Sequence, residues 1–136
     1  MPAGYSGTPL VRKLGIKEGM RVLVVQEPEG YWSLLGTLPA GVERIGPRAR
    51  NVDFVHGFVT RHQDLAKRLP RWRDRITQND MIWVSWPKKS SGVPSNVTED
   101  VVRGEAFDNQ LVDVKVCAVD EIWSGLKLVI RLKDRR

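Results

Sequence analysis

Arg21-Val22-Leu23-Val24-Val25-Gln26 is a run of aliphatic and β-branched residues with no polar alternation. A strand with one wet face alternates, so an unbroken apolar run of this length belongs to a strand covered on both faces, as in a parallel sheet flanked by helices. That makes it the first, central strand. The other end of the chain adds a second constraint. Val112–Val119 and Leu126–Leu132 both read as strands, and only six residues, Asp120 to Gly125, join them. A parallel crossover needs about a dozen residues or more, so this pair runs antiparallel.

Between these ends, strands and helices alternate. Thr8-Pro9 predicts the start of a short helix over 8–14, with Thr as cap, Pro at the first helical position and Gly15 as the left-handed stop. A brief helix over 31–38 and a brief strand over 42–45 precede the Gly46-Pro47 break. Val52–Val59 is the next strand. Leu65, Leu69, Trp72 and Ile76 then recur at helical spacing within 60–77, placing Trp72 in the core, with Pro70 expected to kink or restart the helix. Met81–Trp86 is the fourth strand, and Thr98 caps a helix running to about Asn109. In the fifth strand Val112, Val114, Val116 and Ala118 are expected on one side and Asp113 and Lys115 on the other, the pattern of a guarded edge. The sum is one α/β domain over 1–136 with a mainly parallel sheet and one reversed strand.

At 136 residues and 41% hydrophobic content the chain suits a single globular domain. Its apolar runs fall short of the roughly 18 residues of a membrane helix, and its first residues lack a signal-peptide h-region, so a soluble, cytoplasmic protein without membrane association is expected. The lone Cys117 excludes an internal disulfide and a Cys-based zinc site and reads as a packed thiol. Neither His56 with Asp53 nor His62 with Asp64 has the spacing of a shared site, and no P-loop, G-x-G-x-x-G or G-x-S-x-G motif occurs. Ser85 reads as a small strand residue. No catalytic or metal-binding set follows.

The expected site is a place instead. In α/β sheets ligands bind at the carboxyl ends of the strands. There the sequence puts Gln26 and Glu27 after the first strand, Thr60 and Arg61 after the third, Trp86, Lys88, Lys89, Ser91 and Gly92 after the fourth, and Asp120, Glu121 and Trp123 after the fifth. The connection 88–97 is longer than the usual two to six residues, a length associated with functional loops. Lysines facing carboxylates suit an anionic, zwitterionic or nucleotide-like ligand, or close on one another. Glu99 and Asp100 complement the following helix dipole and disfavour a phosphate there. Trp32, Trp86 and Trp123 flank this crevice. The net charge of +6 is concentrated on Arg61, Lys67, Arg68, Arg71, Arg73 and Arg75, on the 88–89 loop, and on Lys127, Arg131, Lys133 and Arg135. A basic helix of this kind fits nucleic acid or a solvated surface.

VDFVHGF followed by LAKRLPRWRDRITQNDMIWVSWP, within a parallel sheet closed by a reversed strand, resembles the strand-helix-strand unit in the second half of the class I methyltransferases. The resemblance implies strand order 2-1-3-4-6-5, with 126–132 inserted antiparallel beside 81–86, and S-adenosylmethionine as the cofactor to test. The chain departs from that family at the cofactor loop, where Gln26-Glu27-Pro28-Glu29-Gly30 holds one glycine. It departs again at the second strand, which ends Ile45-Gly46 with no acid for ribose, and at His56-Gly57-Phe58-Val59, where an Asn/Asp-Pro-Pro-aromatic motif is common. GYSGTPL, KLGIK, WVSWPKKSSG, TEDVVR and VDVKVCAVDEIWSGLKLV are similar to a bacterial family of small proteins carried as a domain of unknown function, which implies no activity. The leading expectation is a small non-catalytic binding module, recognising an anionic small molecule or a protein partner. An S-adenosylmethionine-dependent methyltransferase and a nucleic-acid-binding protein are the alternatives.

Overall fold

The computed structural model describes residues 8–135. Its elements are α1 (Leu10–Leu14), β1 (Arg21–Val25), α2 (Tyr31–Leu35), β2 (Glu43–Arg44), β3 (Val52–Phe58), α3 (His62–Arg75), β4 (Ile76–Pro87), α4 (Glu99–Asp108), β5 (Leu111–Ala118) and β6 (Trp123–Ile130). Single 3₁₀ turns lie at Lys89–Ser91 and Leu132–Asp134. The sheet order is β2-β1-β3-β4-β6-β5. β1 pairs in parallel with β2 and β3, and β3 with β4, while β6 runs antiparallel to both β4 and β5. The expected order and the reversed strand are both present.

The sheet divides two apolar layers. On one face Leu65, Leu69 and Trp72 of α3 and Val102 and Ala106 of α4 pack on Val52, Val55, Ile82, Val84, Leu126 and Leu128. On the other, Leu14 of α1 and Tyr31 and Leu35 of α2 pack on Val22, Phe54, Phe58, Met81 and Trp83. Trp72 is 4% exposed and Trp83 fully buried, where its indole N–H donates to the Leu14 carbonyl at 2.8 Å. Both tryptophans are core, as their spacing required.

Some expected details change in the structure. The cap of α1 is Pro9, with no side-chain hydrogen bond, so Thr8 does not serve as the cap; the GYSG segment before it lies outside the described residues. Pro70 does not restart α3: it sits on the exposed face of one continuous helix whose buried stripe of Leu65, Leu69 and Trp72 outweighs the lost bond. β4 begins at Ile76, where Ile76 pairs with Val52, and β6 begins at Trp123 and ends at Ile130, leaving Leu132 79% exposed in the closing turn.

The edge strand departs most from its sequence pattern. A register shift between Asp113 and Lys115 marks a bulge that reverses the facing of the residues beyond it. Asp113 therefore meets Arg103 on α4, whereas Lys115, two residues on, donates to the Lys13 carbonyl on α1. Leu111 and Cys117 are buried, and Val112, Val114 and Val116 are exposed instead of lining one covered side.

Glycine is required at position 57. A Cβ built there would lie 2.1 Å from the Trp72 ring, far inside van der Waals contact, and that indole is boxed in by the core. Gly57→Ala is expected to cost about 3 kcal/mol, lowering the thermal midpoint by roughly 10 °C. A calorimetric melt within a degree or two of wild type would show that α3 can shift to accept the methyl group.

Candidate functional site

In this strand order the chain leaves β1 toward β2 in one direction and β3 toward β4 in the other. The carboxyl ends of β1 and β3 therefore flank the switch point, where loops diverge and leave a crevice. A cleft of about 290 Å³ lies there, lined by Gln26 from the end of β1, Phe58, Val59 and Thr60 from the end of β3, Arg61, Asp64 and Arg68 from α3, and Trp123 from the start of β6. Arg61 Nε donates to Asp64 Oδ2 at 3.0 Å, while no described residue pairs with Arg68. Phe58 and Trp123 meet edge to face, with centroids 5.1 Å apart, and form the aromatic wall. Gln26 holds φ of 59°, a left-handed conformation uncommon for a residue with a Cβ, and so turns the chain sharply at the mouth.

A second cleft, of about 440 Å³, opens between the end of β4 and the start of α4. Trp86, Pro87, Lys89 and Gly92 line it on one side, and Val93, Pro94, Ser95, Val97, Thr98 and Glu99 on the other. The loop between is pinned: Ser95 Oγ and Asn96 N both donate to the Thr60 carbonyl, at 2.8 and 3.2 Å. Thr60 lines the first cleft and Ser95 the second, so this seam joins their walls.

The twelve residues expected at this sheet edge are thus divided. Gln26, Thr60, Arg61 and Trp123 reach the switch-point cleft; Trp86, Lys89 and Gly92 reach the other. Lys88 lines neither of these clefts. Its backbone N–H donates to the Ile122 carbonyl at 2.7 Å and its Nζ to the Asp120 carbonyl at 3.0 Å, tying the loop to the β5–β6 turn. Ser91 Oγ donates to the Lys88 carbonyl and accepts from Val93 N, holding the 3₁₀ turn. Asp120 Oδ1 accepts from the Ile122 and Trp123 amides at 2.8 and 2.7 Å, the side chain shaping its own turn. Glu27 accepts from Trp32 Nε1 at 3.0 Å, and Arg44 lies 3.8 Å from the Trp32 ring centroid. Glu121 is exposed on the turn. No lysine–carboxylate pair closes the crevice among the described residues; backbone carbonyls take the place of the acids.

Behind the aromatic wall is a polar chain that sequence spacing did not point to. His56, fully buried on β3, meets the Tyr31 hydroxyl through Nδ1 at 2.8 Å and the Ser85 hydroxyl through Nε2 at 2.7 Å. A neutral imidazole donates from one nitrogen and accepts at the other, and two hydroxyls can satisfy either tautomer. His56 also stacks on Phe58 at 4.3 Å, and Tyr31 packs edge to face on the same ring at 5.4 Å. The chain therefore braces Phe58 from behind. Its trace in the sequence is a His and a Ser within the apolar stretches of two strands.

Burial pushes His56 down from its usual 6.5 to about 3, and burial, then the Glu27 carboxylate, push the Tyr31 phenol up. At the opposite, amino-terminal edge, burial and then the Asp53 carboxylate raise Asp80 from 3.8 to about 6. The two act with opposite sign. Between pH 6.5 and 3 the unfolded chain protonates His56 and the folded chain does not, so stability falls on acidification, by at most ~1.4 kcal/mol per pH unit. Between pH 3.8 and 6 the folded chain holds a proton on Asp80 that the unfolded chain releases, so this contribution falls as pH rises. Asp80→Asn should therefore melt higher than wild type at pH 7, lose that advantage below about pH 4, and show the steeper acid decline. Parallel melting curves across that range would contradict this assignment.

Among the described residues no His, Cys, Asp or Glu group could hold a metal ion, and no helix is long and apolar enough to cross a membrane. His62 Nε2 instead meets Glu105 at 3.0 Å, linking α3 to α4.

No family model and no curated protein matches the chain in sequence. Solved structures do match in fold. A SAM-dependent methyltransferase from Aquifex aeolicus superimposes with a TM-score of 0.66 at 18% identity, over 90% of this chain and 88% of that one. Aeropyrum pernix fibrillarin, solved with natively bound S-adenosyl-L-methionine, gives 0.58 at 15% identity over 93% and 70%. Magnesium protoporphyrin IX methyltransferase from Synechocystis, with bound SAM, gives 0.58 at 9% identity over 90% and 74%. The fold is that of the class I methyltransferases. It spans nearly the whole chain, and at these identities the likeness is one of architecture.

Proposed function

We propose that this chain binds S-adenosylmethionine at the switch-point cleft and belongs, by function as well as fold, with the methyl-transferring proteins. The supporting observation is that a concave, aromatic-walled cleft carrying both charge signs lies between the ends of β1 and β3. The cofactor presents an α-carboxylate, an ammonium, a sulfonium and an adenosyl group. Arg68 is an unpaired cation for the carboxylate, Asp64 is the acid within reach of an ammonium or of ribose hydroxyls, and Trp123, backed edge to face by Phe58, offers an aromatic surface. Bound there, the cofactor supplies an electrophilic methyl group. The chain's part is to orient it and exclude water.

The first-strand loop is where this chain's solution differs. Pro28 lacks an amide N–H, and Gln26 carries a side chain at a left-handed turn. Glu27 and Arg44 are engaged with Trp32. The ligand is therefore expected to rely on α3 side chains more than on loop amides. The second reading, a non-catalytic module that takes an anionic molecule or a protein partner, is favoured by this same loop.

Thermal-shift titration separates the two. S-adenosylmethionine and S-adenosylhomocysteine should stabilise the protein with the logarithmic dependence RT ln(1 + [L]/Kd), and Arg68→Ala or Trp123→Ala should raise the fitted Kd about tenfold or more. A flat response to both ligands, with a response to other anions, would support the non-catalytic module instead.

A further inference from the structure

α3 has a second side. The link from β2 to β3 contains no helix, so α3 is the last helix on its face, and beyond it Val25 and Ile45 are only half-buried. A recess of about 180 Å³ lies along this border, floored by Leu23, Val25 and Trp72 and walled by Arg68, Arg71 and Arg75. Pro47 closes its far edge. The three arginines stand at i, i+3 and i+7, one stripe extending about 10 Å along the helix at 1.5 Å per residue.

None of the three pairs with an acid among the described residues. The two carboxylates of α3 are engaged elsewhere, Asp64 with Arg61 and Asp74 with Arg50 at 3.7 Å. Arg75 Nη1 is buried with no hydrogen-bond partner. A buried guanidinium nitrogen without an acceptor costs free energy that a bound anion would recover. A row of unpaired arginines beside an apolar recess offers charge for a polyanion and space for something flat.

We infer that this groove binds single-stranded nucleic acid, with Arg71 and Arg75 on successive phosphates and one unstacked base in the recess over Leu23 and Val25. Three features favour this occupant. The guanidinium fork matches phosphate oxygens. The row is longer than one phosphate. The recess is large enough for one ring system and too small for the apolar face of a partner helix, which argues against an acidic polypeptide. A duplex keeps its bases stacked and offers nothing to fill the recess.

The test is fluorescence anisotropy with a labelled single-stranded oligonucleotide, titrated at rising sodium chloride. Saturable binding is expected, and Arg71→Ala/Arg75→Ala should flatten the slope of log K against log salt by about 1.4, at 0.7 per lost phosphate contact. Arg71→Lys/Arg75→Lys should restore the slope. Circular dichroism melts establish that each variant is folded. Absence of binding at low salt would overturn the inference, as would an unchanged slope in the double variant, equal affinity for the matching duplex, or displacement by polyglutamate as effective as by unlabelled strand. Arg71 and Arg75 do not line the switch-point cleft, so this result and the S-adenosylmethionine titration fail independently.

Discussion

The close approach of Trp72 to the backbone of β3 at Gly57 sets the position of α3, and α3 carries charged residues of both proposed surfaces. Only a glycine lets the indole lie across the strand, and the indole in turn fixes how near the helix axis comes to the sheet. Arg61, Asp64 and Arg68 project from the helix start toward the strand ends, while Arg68, Arg71 and Arg75 look toward the uncovered border by β1. One packing contact thus positions two differently shaped concavities. On the reverse face of β3 the neighbouring residue, His56, does the equivalent work for the aromatic wall, locking Phe58 through the Tyr31–His56–Ser85 chain.

Much of the architecture was legible because it rests on periodicity and length. The unbroken apolar run at 21–26, the helical stripe of Leu65, Leu69 and Trp72, and the short link between the last two strands were enough for a mainly parallel sheet with one reversed strand, while the strand order came from the resemblance to the class I methyltransferases. The bulge in β5 was not legible: Val112, Val114 and Val116 alternate as they would in a regular strand, and only the partner strand reveals where the register slips. Pro70 does not interrupt α3 for the opposite reason, since the helix-ending tendency of a proline is overridden by tertiary burial.

The site was legible as a location and not as a set of contacts. Placing ligands at strand ends follows from topology, and two clefts are there. Which side chains enter them depends on loop geometry that residue identity does not encode. Lys88 illustrates this: a lysine in a glycine- and serine-rich loop suggests a free cation for a ligand, yet it bridges to the Asp120 carbonyl and organises the turn that presents Trp123. In sequence Arg68 is one of six basic residues on a helix that fits nucleic acid or a solvated surface alike, because the recess beside it arises from a missing helix between β2 and β3, visible only once the sheet is assembled. The His56–Ser85 bond joins residues 29 apart on neighbouring strands, beyond the reach of any local motif.

The central claim is that the ligand enters between β1 and β3 and not between β4 and α4. The five tryptophans make this directly observable in a ¹H–¹⁵N correlation spectrum, where each indole N–H gives its own resonance. On titration with S-adenosylmethionine, the Trp123 indole should shift saturably while the buried Trp83 indole and the Trp86 indole of the second cleft stay in place. Movement of Trp86 with Trp123 unaffected, or no indole shift at saturating ligand, would contradict the account.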